Sequence, residues 1–236
     1  MASTDAPAQP PAMTVTKLRG PRRMIADKML ASLHDAAQLT HHASANASAL
    51  IAAKQARDEQ GDRTSIEDLA MFAAIRTLAD HPQVNARLTD NELHCGPAVH
   101  LSVAIALANG LLVAPAIFDA QAMSLTQLRA ARQDLAQRAR TNRLDVRKMT
   151  GGTFTISNLG LTRVEHFTPI LNTPQVAILG LGSMSDRPVR TADGRIDLAP
   201  HIGLSLTFDH RAIDGTPAAL FLSALCDRLE DIGAIV

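Results

Sequence analysis

The sequence predicts an α/β domain of the two-layer α+β type, in which helices flank a mixed sheet. Two patterns carry this prediction. Apolar side chains alternate with small or polar ones over residues 202–208, which is the period of a half-buried strand. Ile25, Met29 and Leu33 recur at four-residue spacing, which is typical of one face of a helix. No internal repeat divides the chain.

Residues 1–16 and 17–236 differ in composition. The first segment is rich in Pro, Ala and small polar side chains, which predicts a flexible linker or tail. The second is long enough for one large domain. Hydrophobic residues make up 46% of the chain, which is enough for a substantial core. We therefore expect one folded domain after the linker.

Helix start and stop signals divide the N-terminal part of the domain. Gly20 followed by proline begins the first helix. Ser48 is expected to cap a second helix, which ends at Gly61. Residues 65–68 form a capping box ahead of a third helix, and this helix must stop before Pro82.

Strands and turns dominate the rest of the chain. Ser124 begins a long helix that extends to about Arg140. Turn-forming pairs at residues 109–110 and 193–194 indicate two hairpins. The predicted strands are residues 38–46, 84–88, 98–107, 111–117, 153–157, 176–181 and 196–208.

Charge and the length of the apolar stretches argue against two kinds of partner. The chain has 23 basic and 23 acidic residues, so it lacks the electrostatic footprint of a nucleic-acid-binding protein. Its apolar stretches are shorter than a membrane-spanning helix needs, and no signal peptide is recognisable. We expect no nucleic-acid partner and no membrane association.

The two cysteines, Cys95 and Cys226, do not suggest a disulfide framework, and free thiols fit a reducing cytosol. Cys95 lies near His94 and His100, but the spacing is not that of a zinc site. We therefore expect a cytoplasmic protein without a bound metal.

Residues 209–215 read Asp-His-Arg-Ala-Ile-Asp-Gly and follow the last predicted strand. A final helix is expected after them, with Thr216 as its N-cap and Pro217 at its first position. This arrangement places His210 at a strand end and Asp214 just before a helix. Turns of this kind often carry a functional residue on a rigid frame.

This motif resembles the D-H-R-x-x-D-G signature of the acyltransferase catalytic domain of 2-oxo-acid dehydrogenase complexes. A looser form, H-x-x-x-D-G, occurs in chloramphenicol acetyltransferase, which shares that fold. Residues 151–160, G-G-T-F-T-I-S-N-L-G, are similar to another segment of the same domain. Further similar segments lie at residues 21–26, 110–115 and 167–180, so the resemblance extends from about Lys17 to the C-terminus. It implies a chloramphenicol acetyltransferase-like mixed sheet flanked by helices.

The sequence departs from this resemblance in two ways. Many relatives have a glycine-rich turn where residues 161–166 read Leu-Thr-Arg-Val-Glu-His, so the acyl group is left open between acetyl, succinyl and branched. No lipoyl domain or subunit-binding domain is recognisable before the linker. We expect either the catalytic part of a larger chain or a stand-alone relative.

The resemblance implies acyl transfer between the thiols of dihydrolipoamide and coenzyme A. His210 is then the general base that takes the thiol proton. Ser157 is the hydroxyl donor to the oxyanion of the tetrahedral intermediate. Asp214 is expected to hold the turn through backbone amides and an arginine, for which Arg23 is the best-placed match and Arg22 the next.

The resemblance also implies partners. Coenzyme A is a substrate, and the lipoyl group is carried on a separate domain. The active site is expected between the subunits of a homotrimer, which can assemble into a larger core. The other partners implied are the oxo-acid decarboxylase and dihydrolipoamide dehydrogenase components of the complex.

Two alternatives stay open at this stage. One is a stand-alone coenzyme A-dependent O-acetyltransferase of the chloramphenicol acetyltransferase type. The other is a non-catalytic scaffold that builds the core of a complex. The combination of His210, Ser157 and Asp214 argues against the scaffold, because a scaffold does not need it.

Overall fold

A computed structural model describes residues 13–108 and 110–236. Most of the predicted linker and Asn109 of the predicted 109–110 turn lie outside the described residues. Residues 13–19 are exposed and have no regular secondary structure. The boundary between linker and domain after residue 16 stays a prediction.

The described chain contains the predicted helices and strands, some with changed bounds, together with a strand at Glu92–Cys95 and a short helix at Val146–Thr150 that the sequence did not predict. The helices are α1 (Gly20–Asp35), α2 (Ser48–Glu59), α3 (Ile66–Asp80), α4 (Leu125–Arg140), α5 (Val146–Thr150) and α6 (Gly215–Glu230). The strands are β1 (Gln38–Asn46), β2 (Ala86–Thr89), β3 (Glu92–Cys95), β4 (Leu101–Val103), β5 (Ile105–Ala106), β6 (Leu112–Val113), β7 (Ala116–Ile117), β8 (Phe154–Asn158), β9 (Ala177–Arg190) and β10 (Ile196–Asp209).

The largest sheet has six strands in the order β1-β10-β9-β8-β4-β7. Strand β8 runs parallel to β4 and to β9, and the other neighbours in this sheet are antiparallel. Two smaller sheets pair β2 with β3 and β5 with β6. The mixed sheet predicted from the sequence is therefore confirmed.

Side chains alternate along each strand, so the two faces of the large sheet have different surroundings. Leu204, Leu206 and Phe208 of β10 are fully buried and belong to the main core. That core also contains α3 residues such as Leu69 and α6 residues such as Phe221. The residues between them on β10 point to the opposite face, which carries the polar side chains of the candidate site.

Two predicted strands are interrupted in the structure. The segment 98–107 divides into β4, which pairs with β7 and β8, and β5, which pairs with β6 in a separate sheet. The segment 111–117 splits at Pro115, which has no amide hydrogen for a continuous ladder. Strand β9 is longer than predicted, since its polar second half pairs with β10 in a long hairpin.

Of the four helix starts predicted from capping residues, two are confirmed and two are wrong. The capping box predicted at residues 65–68 is confirmed, and Ser124, which was predicted only to begin a helix, forms a capping box as well. Ser48 is not a cap: it is the first helical residue, and its amide donates to the side chain of Asn46 at 2.9 Å. The predicted cap at Thr216 is also wrong, because α6 begins at Gly215 and its N-cap is Asp214.

Candidate active site

Ser157 lies in a row of four paired residues that crosses the large sheet. Ser157 on β8 is opposite Gly180 on β9, which is opposite Ser205 on β10, which is opposite His42 on β1. Directly opposed residues point to the same face of a sheet. This row therefore faces away from the main core, on the side where α1 and residues 164–172 lie.

Glycines allow the segment after β8 to lie directly on this face. A Cβ atom at Gly180 would be 2.7 Å from the Phe167 ring, so Phe167 lies over the position beside Ser157. Cβ atoms at Gly182 and Gly203 would each be 1.9 Å from the carbonyl oxygen of Glu165. A larger residue at any of these positions displaces the segment, so the glycines fix one wall of the site.

The Ser157 side of the face opens into a cavity of about 560 Å³. Apolar side chains from α1, the β5–β6 hairpin and residues 167–170 form most of its wall. The polar side chains on the wall are those of Lys28, Thr155, Ser157 and Asn172. A cavity with apolar walls and a few polar groups is typical of a small-molecule site.

Lys28 is one of two site residues that the sequence analysis missed. Its ammonium group donates to Asn172 Oδ1 at 2.6 Å, and partial burial lowers its pKa. The available signal was the helical spacing of Pro21, Met24, Ile25 and Lys28, which puts one charged residue on an otherwise apolar face of α1.

His210 lies at the end of β10, as predicted. Its amide donates to Ala37 O at 2.8 Å, and its side chain is about half exposed, with a relative accessibility of 45%. Nδ1 lies 3.8 Å from Asp214 Oδ1, which is an ion-pair distance when the imidazole is protonated. The ring packs at a tilt against Phe208, with 5.9 Å between ring centroids.

The carboxylate that holds the His210 turn is Asp209, which the sequence analysis did not single out. Asp209 Oδ1 accepts from the amides of Ala37 at 3.3 Å and Arg211 at 3.0 Å. Its burial opposes ionisation, but hydrogen bonds from Arg211 and Ala37 outweigh that effect and lower its pKa.

The expected amide contacts of Asp214 are therefore corrected. Asp214 is the N-cap of α6 but makes no side-chain capping bond, and its side chain is exposed. Within the described chain, Arg23 pairs with Asp27, with 3.4 Å between Nε and Oδ2. Arg22 donates to Gly110 O. The predicted pairing of Asp214 with Arg23 stays a prediction.

One chain does not bring Ser157 and His210 together. Ser157 is level with Ser205 of β10, and His210 follows Ser205 by five residues, just beyond the end of that strand. The two residues are therefore separated by about 17 Å along the strands and about 10 Å across them. A side-chain contact between them requires residues from two copies of the chain.

Three features of the described residues bear on other classes of site. They contain no cluster of three or more His, Cys, Asp or Glu side chains that could hold a metal ion. None of the helices in residues 13–108 and 110–236 is long and apolar enough to cross a membrane. Cys95 and Cys226 are unpaired thiols, and burial raises the pKa of Cys226 to about 11.

The arrangement of the sheet and helices defines the class of protein. A solved structure of chloramphenicol acetyltransferase superposes with a TM-score of 0.56 at 17% identity, over 87% of this chain and 92% of that one. The fold is thus chloramphenicol acetyltransferase-like. Within this fold, the chain belongs to the family of 2-oxoacid dehydrogenases acyltransferases (catalytic domain), whose family model matches residues 10–236.

Two relatives show how much of a longer protein the chain represents. The dihydrolipoyllysine-residue acetyltransferase component of the acetoin cleaving system of Bacillus subtilis is 40% identical, over 92% of this chain and 55% of that protein. The succinyltransferase component of the mitochondrial 2-oxoglutarate dehydrogenase complex of Saccharomyces cerevisiae is 35% identical, over 92% of this chain and 48% of that protein. The chain spans about half the length of these relatives.

A solved structure matches at higher coverage. It comes from an investigation of a serine, a histidine and an asparagine in the catalytic mechanism of Azotobacter vinelandii dihydrolipoamide acetyltransferase. Its TM-score is 0.85 at 32% identity, over 98% of this chain and 99% of that chain.

Proposed function

We propose that this chain transfers an acyl group between the thiols of dihydrolipoamide and coenzyme A. The observation that carries the proposal is where the two groups that the reaction needs are placed. Ser157 and His210 belong to one sheet but lie too far apart to act together within one chain. Each lies where a substrate can reach it, Ser157 in the cavity and His210 at a partly exposed turn. The two make one site when neighbouring copies supply one residue each.

His210 acts as the general base. A thiol has a pKa of about 8.5, so a small fraction is thiolate at neutral pH. The neutral imidazole accepts the thiol proton while the sulfur attacks the thioester carbonyl. When the tetrahedral intermediate breaks its original carbon–sulfur bond, the imidazolium returns the proton to the departing thiolate. The same residue therefore serves both directions of a nearly symmetric reaction.

Ser157 stabilises the charge that develops on the carbonyl oxygen. Its hydroxyl lines the cavity, and we propose that it donates to the oxyanion of the intermediate. The Azotobacter vinelandii study concerns a serine and a histidine in the same reaction class, with an asparagine four positions after the histidine. Asp214 stands four positions after His210 here, which supports a role for this position beside the imidazole.

Asp214 and Arg23 position His210 in the assembled protein. Asp214 already lies 3.8 Å from the imidazole, and its exposed side chain leaves its other oxygen open to a cation. The present partner of Arg23 is Asp27 in an exposed pair, which contributes little free energy and can exchange. We assign Arg23 to Asp214 on this basis, with Arg22 as the next candidate.

We further propose a homotrimer, which can assemble into a larger core. A cyclic assembly gives every copy one His210 side and one Ser157 side, so each interface completes one site. The partners we propose are a separate lipoyl domain and the oxo-acid decarboxylase and dihydrolipoamide dehydrogenase components of a complex. Coenzyme A and the lipoyl group bring the reacting thiols, the chemistry requires no metal, and the reducing cytoplasm is the compartment we propose.

A subunit-mixing experiment tests the shared site. Ser157→Ala and His210→Ala are purified separately and then dissociated and reassembled at a one-to-one ratio. The Ser157→Ala copies retain His210, and the His210→Ala copies retain Ser157. In random mixed trimers each side of an interface is therefore intact half of the time, so about one quarter of the interfaces carry both residues. We expect activity to return to about that fraction. No recovery in verified mixed assemblies would contradict a site shared between copies.

The choice of acceptor tests the reaction itself. The assay uses acetyl-coenzyme A with dihydrolipoamide and chloramphenicol as competing acceptors. We expect acyl transfer to dihydrolipoamide. Transfer to the alcohol without transfer to the dithiol would support a stand-alone O-acetyltransferase, and transfer to neither acceptor would support a scaffold.

A further inference from the structure

Lys28 occupies an unusual position for a lysine. It lies on the same face of α1 as Pro21, Met24 and Ile25, and all four line the cavity that contains Ser157. Among the described residues on the cavity wall, Lys28 is the one with an ionisable side chain. Lys28 is exposed in the single chain, and the apolar side chains beside it offer its ammonium group no hydrogen bonds.

In its described contacts, Lys28 donates a hydrogen bond but meets no negatively charged group. Its ammonium group donates to the neutral amide oxygen of Asn172 at 2.6 Å. No ion pair within residues 13–108 and 110–236 involves Lys28. An ammonium group has three donors. The site therefore retains donors and positive charge for an anionic group.

A short chain of contacts connects Lys28 to Ser157. The Asn172 amide nitrogen lies 3.5 Å from Thr155 Oγ1, and the Thr155 hydroxyl in turn donates to Gln175 Oε1 at 2.5 Å. Thr155 and Ser157 lie two residues apart on one face of β8, which is about 7 Å. The Lys28 ammonium group is thus at most about 15 Å from the Ser157 hydroxyl, along the same cavity wall.

We propose that Lys28 is a specificity-determining residue, which binds the terminal carboxylate of a short dicarboxylic acyl group whose thioester carbonyl lies at Ser157. A four-carbon chain of this kind, hydrogen-bonded at both ends, spans roughly 10 Å. The flexible lysine stem can adjust to that length. This inference rests on the proposed acyl-transfer function and names its substrate class.

The position of the charge favours the acyl carboxylate over the phosphates of coenzyme A. The phosphates are separated from the reacting sulfur by the whole pantetheine arm, whereas Lys28 lies on the wall that holds the oxyanion donor. The surrounding wall is largely apolar, so it offers few competing hydrogen-bond partners to a carboxylate bound at Lys28. The methylene groups of the acyl chain pack against that same wall.

The test compares two acyl donors in Lys28→Met and Lys28→Arg. The donors are succinyl-coenzyme A and acetyl-coenzyme A, with dihydrolipoamide as acceptor. In Lys28→Met we expect kcat/KM for succinyl transfer to fall by about 10- to 100-fold, because a hydrogen bond to a charged group is lost. Acetyl transfer is expected to stay within about 3-fold, and Lys28→Arg is expected to retain most succinyl transfer.

Lys54→Met is the matched control, because Lys54 forms an exposed pair with Asp58 on α2. It is expected to leave both rates unchanged. Equal losses for both donors in Lys28→Met, or no loss, would overturn the proposal. Losses that disappear when the donors are pantetheine thioesters without phosphates would assign Lys28 to coenzyme A and also overturn it.

A binding measurement separates this inference from the proposed reaction. Calorimetry compares non-reactive coenzyme A thioethers whose four-carbon chains end in a carboxylate or a methyl group. We expect Lys28→Met to weaken the carboxylate ligand by at least about 10-fold and to leave the methyl ligand unchanged. Equal binding of the carboxylate ligand by both proteins contradicts the assignment. If the wild type binds as expected but transfers neither acyl group, the reaction proposal fails and the Lys28 assignment stands.

Discussion

Arg211 forms a two-point ion pair with Asp209, with Nη2 2.6 Å from Oδ2 and Nε 3.0 Å from Oδ1. Asp209 is almost fully buried, whereas Arg211 is about half exposed. The pair closes the turn from which the His210 side chain projects. The geometry of the imidazole therefore depends on a carboxylate that does not itself meet substrate.

The first prediction concerns this pair. Asp209→Asn keeps the shape of the side chain but removes the negative charge that accepts hydrogen bonds from two backbone amides and from Arg211. We expect a loss of about 2–4 kcal/mol in the free energy of unfolding, measured by urea denaturation. We also expect lower kcat. Asp193→Asn is the matched control, because Asp193 forms an exposed pair with Arg195 at the same spacing. An equal effect of both variants would show that burial of Asp209 is unimportant.

The second prediction is a pH dependence of stability. Asp68 is fully buried; its burial opposes ionisation, but hydrogen bonds from Arg132 and Ser65 outweigh that effect and lower its pKa. Since the unfolded value is about 3.9, the stabilisation is fully present above that pH and is lost as the pH falls through the lowered folded pKa. We expect the free energy of unfolding to decline below about pH 4.

Asp68→Asn checks this assignment by denaturation at several pH values. The variant is expected to be less stable at pH 7 and to lose less stability on acidification. Asp134→Asn is the control, because Asp134 pairs with Arg138 on the exposed face of α4. An acid profile of Asp68→Asn that parallels the wild type would assign the effect to other carboxylates.

The third prediction concerns His210. His210→Ala should lower acyl transfer by about 10²- to 10⁴-fold, because the attacking thiol loses its general base. The imidazole is half exposed, so the unfolding midpoint should change little. Steady-state kinetics and thermal unfolding measure the two quantities. Activity within a few-fold of the wild type would remove His210 from the mechanism.

The fourth prediction concerns Ser157. Ser157→Ala should lower kcat by about 10²- to 10³-fold with a smaller change in KM, because the donor is used mainly in the transition state. Ser205→Ala, in the same row of the sheet, is the comparison, since its hydroxyl bonds to His42 at 2.9 Å. A defect in KM alone would indicate that Ser157 binds substrate without stabilising the oxyanion.

The fifth prediction is a coupling between Asp214 and Arg23. Each single alanine variant should reduce activity, and the double variant should be little worse than either if they form one pair. Kinetics of the four proteins complete the cycle. Strictly additive losses would rule out the pairing, and the same cycle with Arg22 would then test the next candidate.

The capping boxes at Ser65 and Ser124 were predictable because each requires hydrogen bonds within four residues. The same kind of reasoning failed at Ser48 and Thr216. At those positions the chain arrives from a strand or from the His210 turn, and that approach decides which residue is first in the helix. Pro217 is accepted inside the first turn because amides there have no helical acceptor.

The residues of the candidate site were likewise predicted only in part from the sequence. The sequence motifs placed Ser157 at the end of a strand and His210 in a turn after another, and the structure agrees. Asp209 was overlooked because its value depends on the Ala37 amide, which lies far away in the sequence. Lys28 was overlooked because its cavity is made by segments that meet only in the folded chain.

The sequence by itself determined the kinds of element, most of their positions and the chemical groups available for acyl transfer. The tertiary structure decided which of those groups share a surface. Strand register places Ser157 and His210 too far apart for one chain, and the close approach of Phe167 to Gly180 builds part of the cavity wall. The physical reason is that caps and turns use bonds between near neighbours, whereas register and close approach depend on packing between residues distant in sequence.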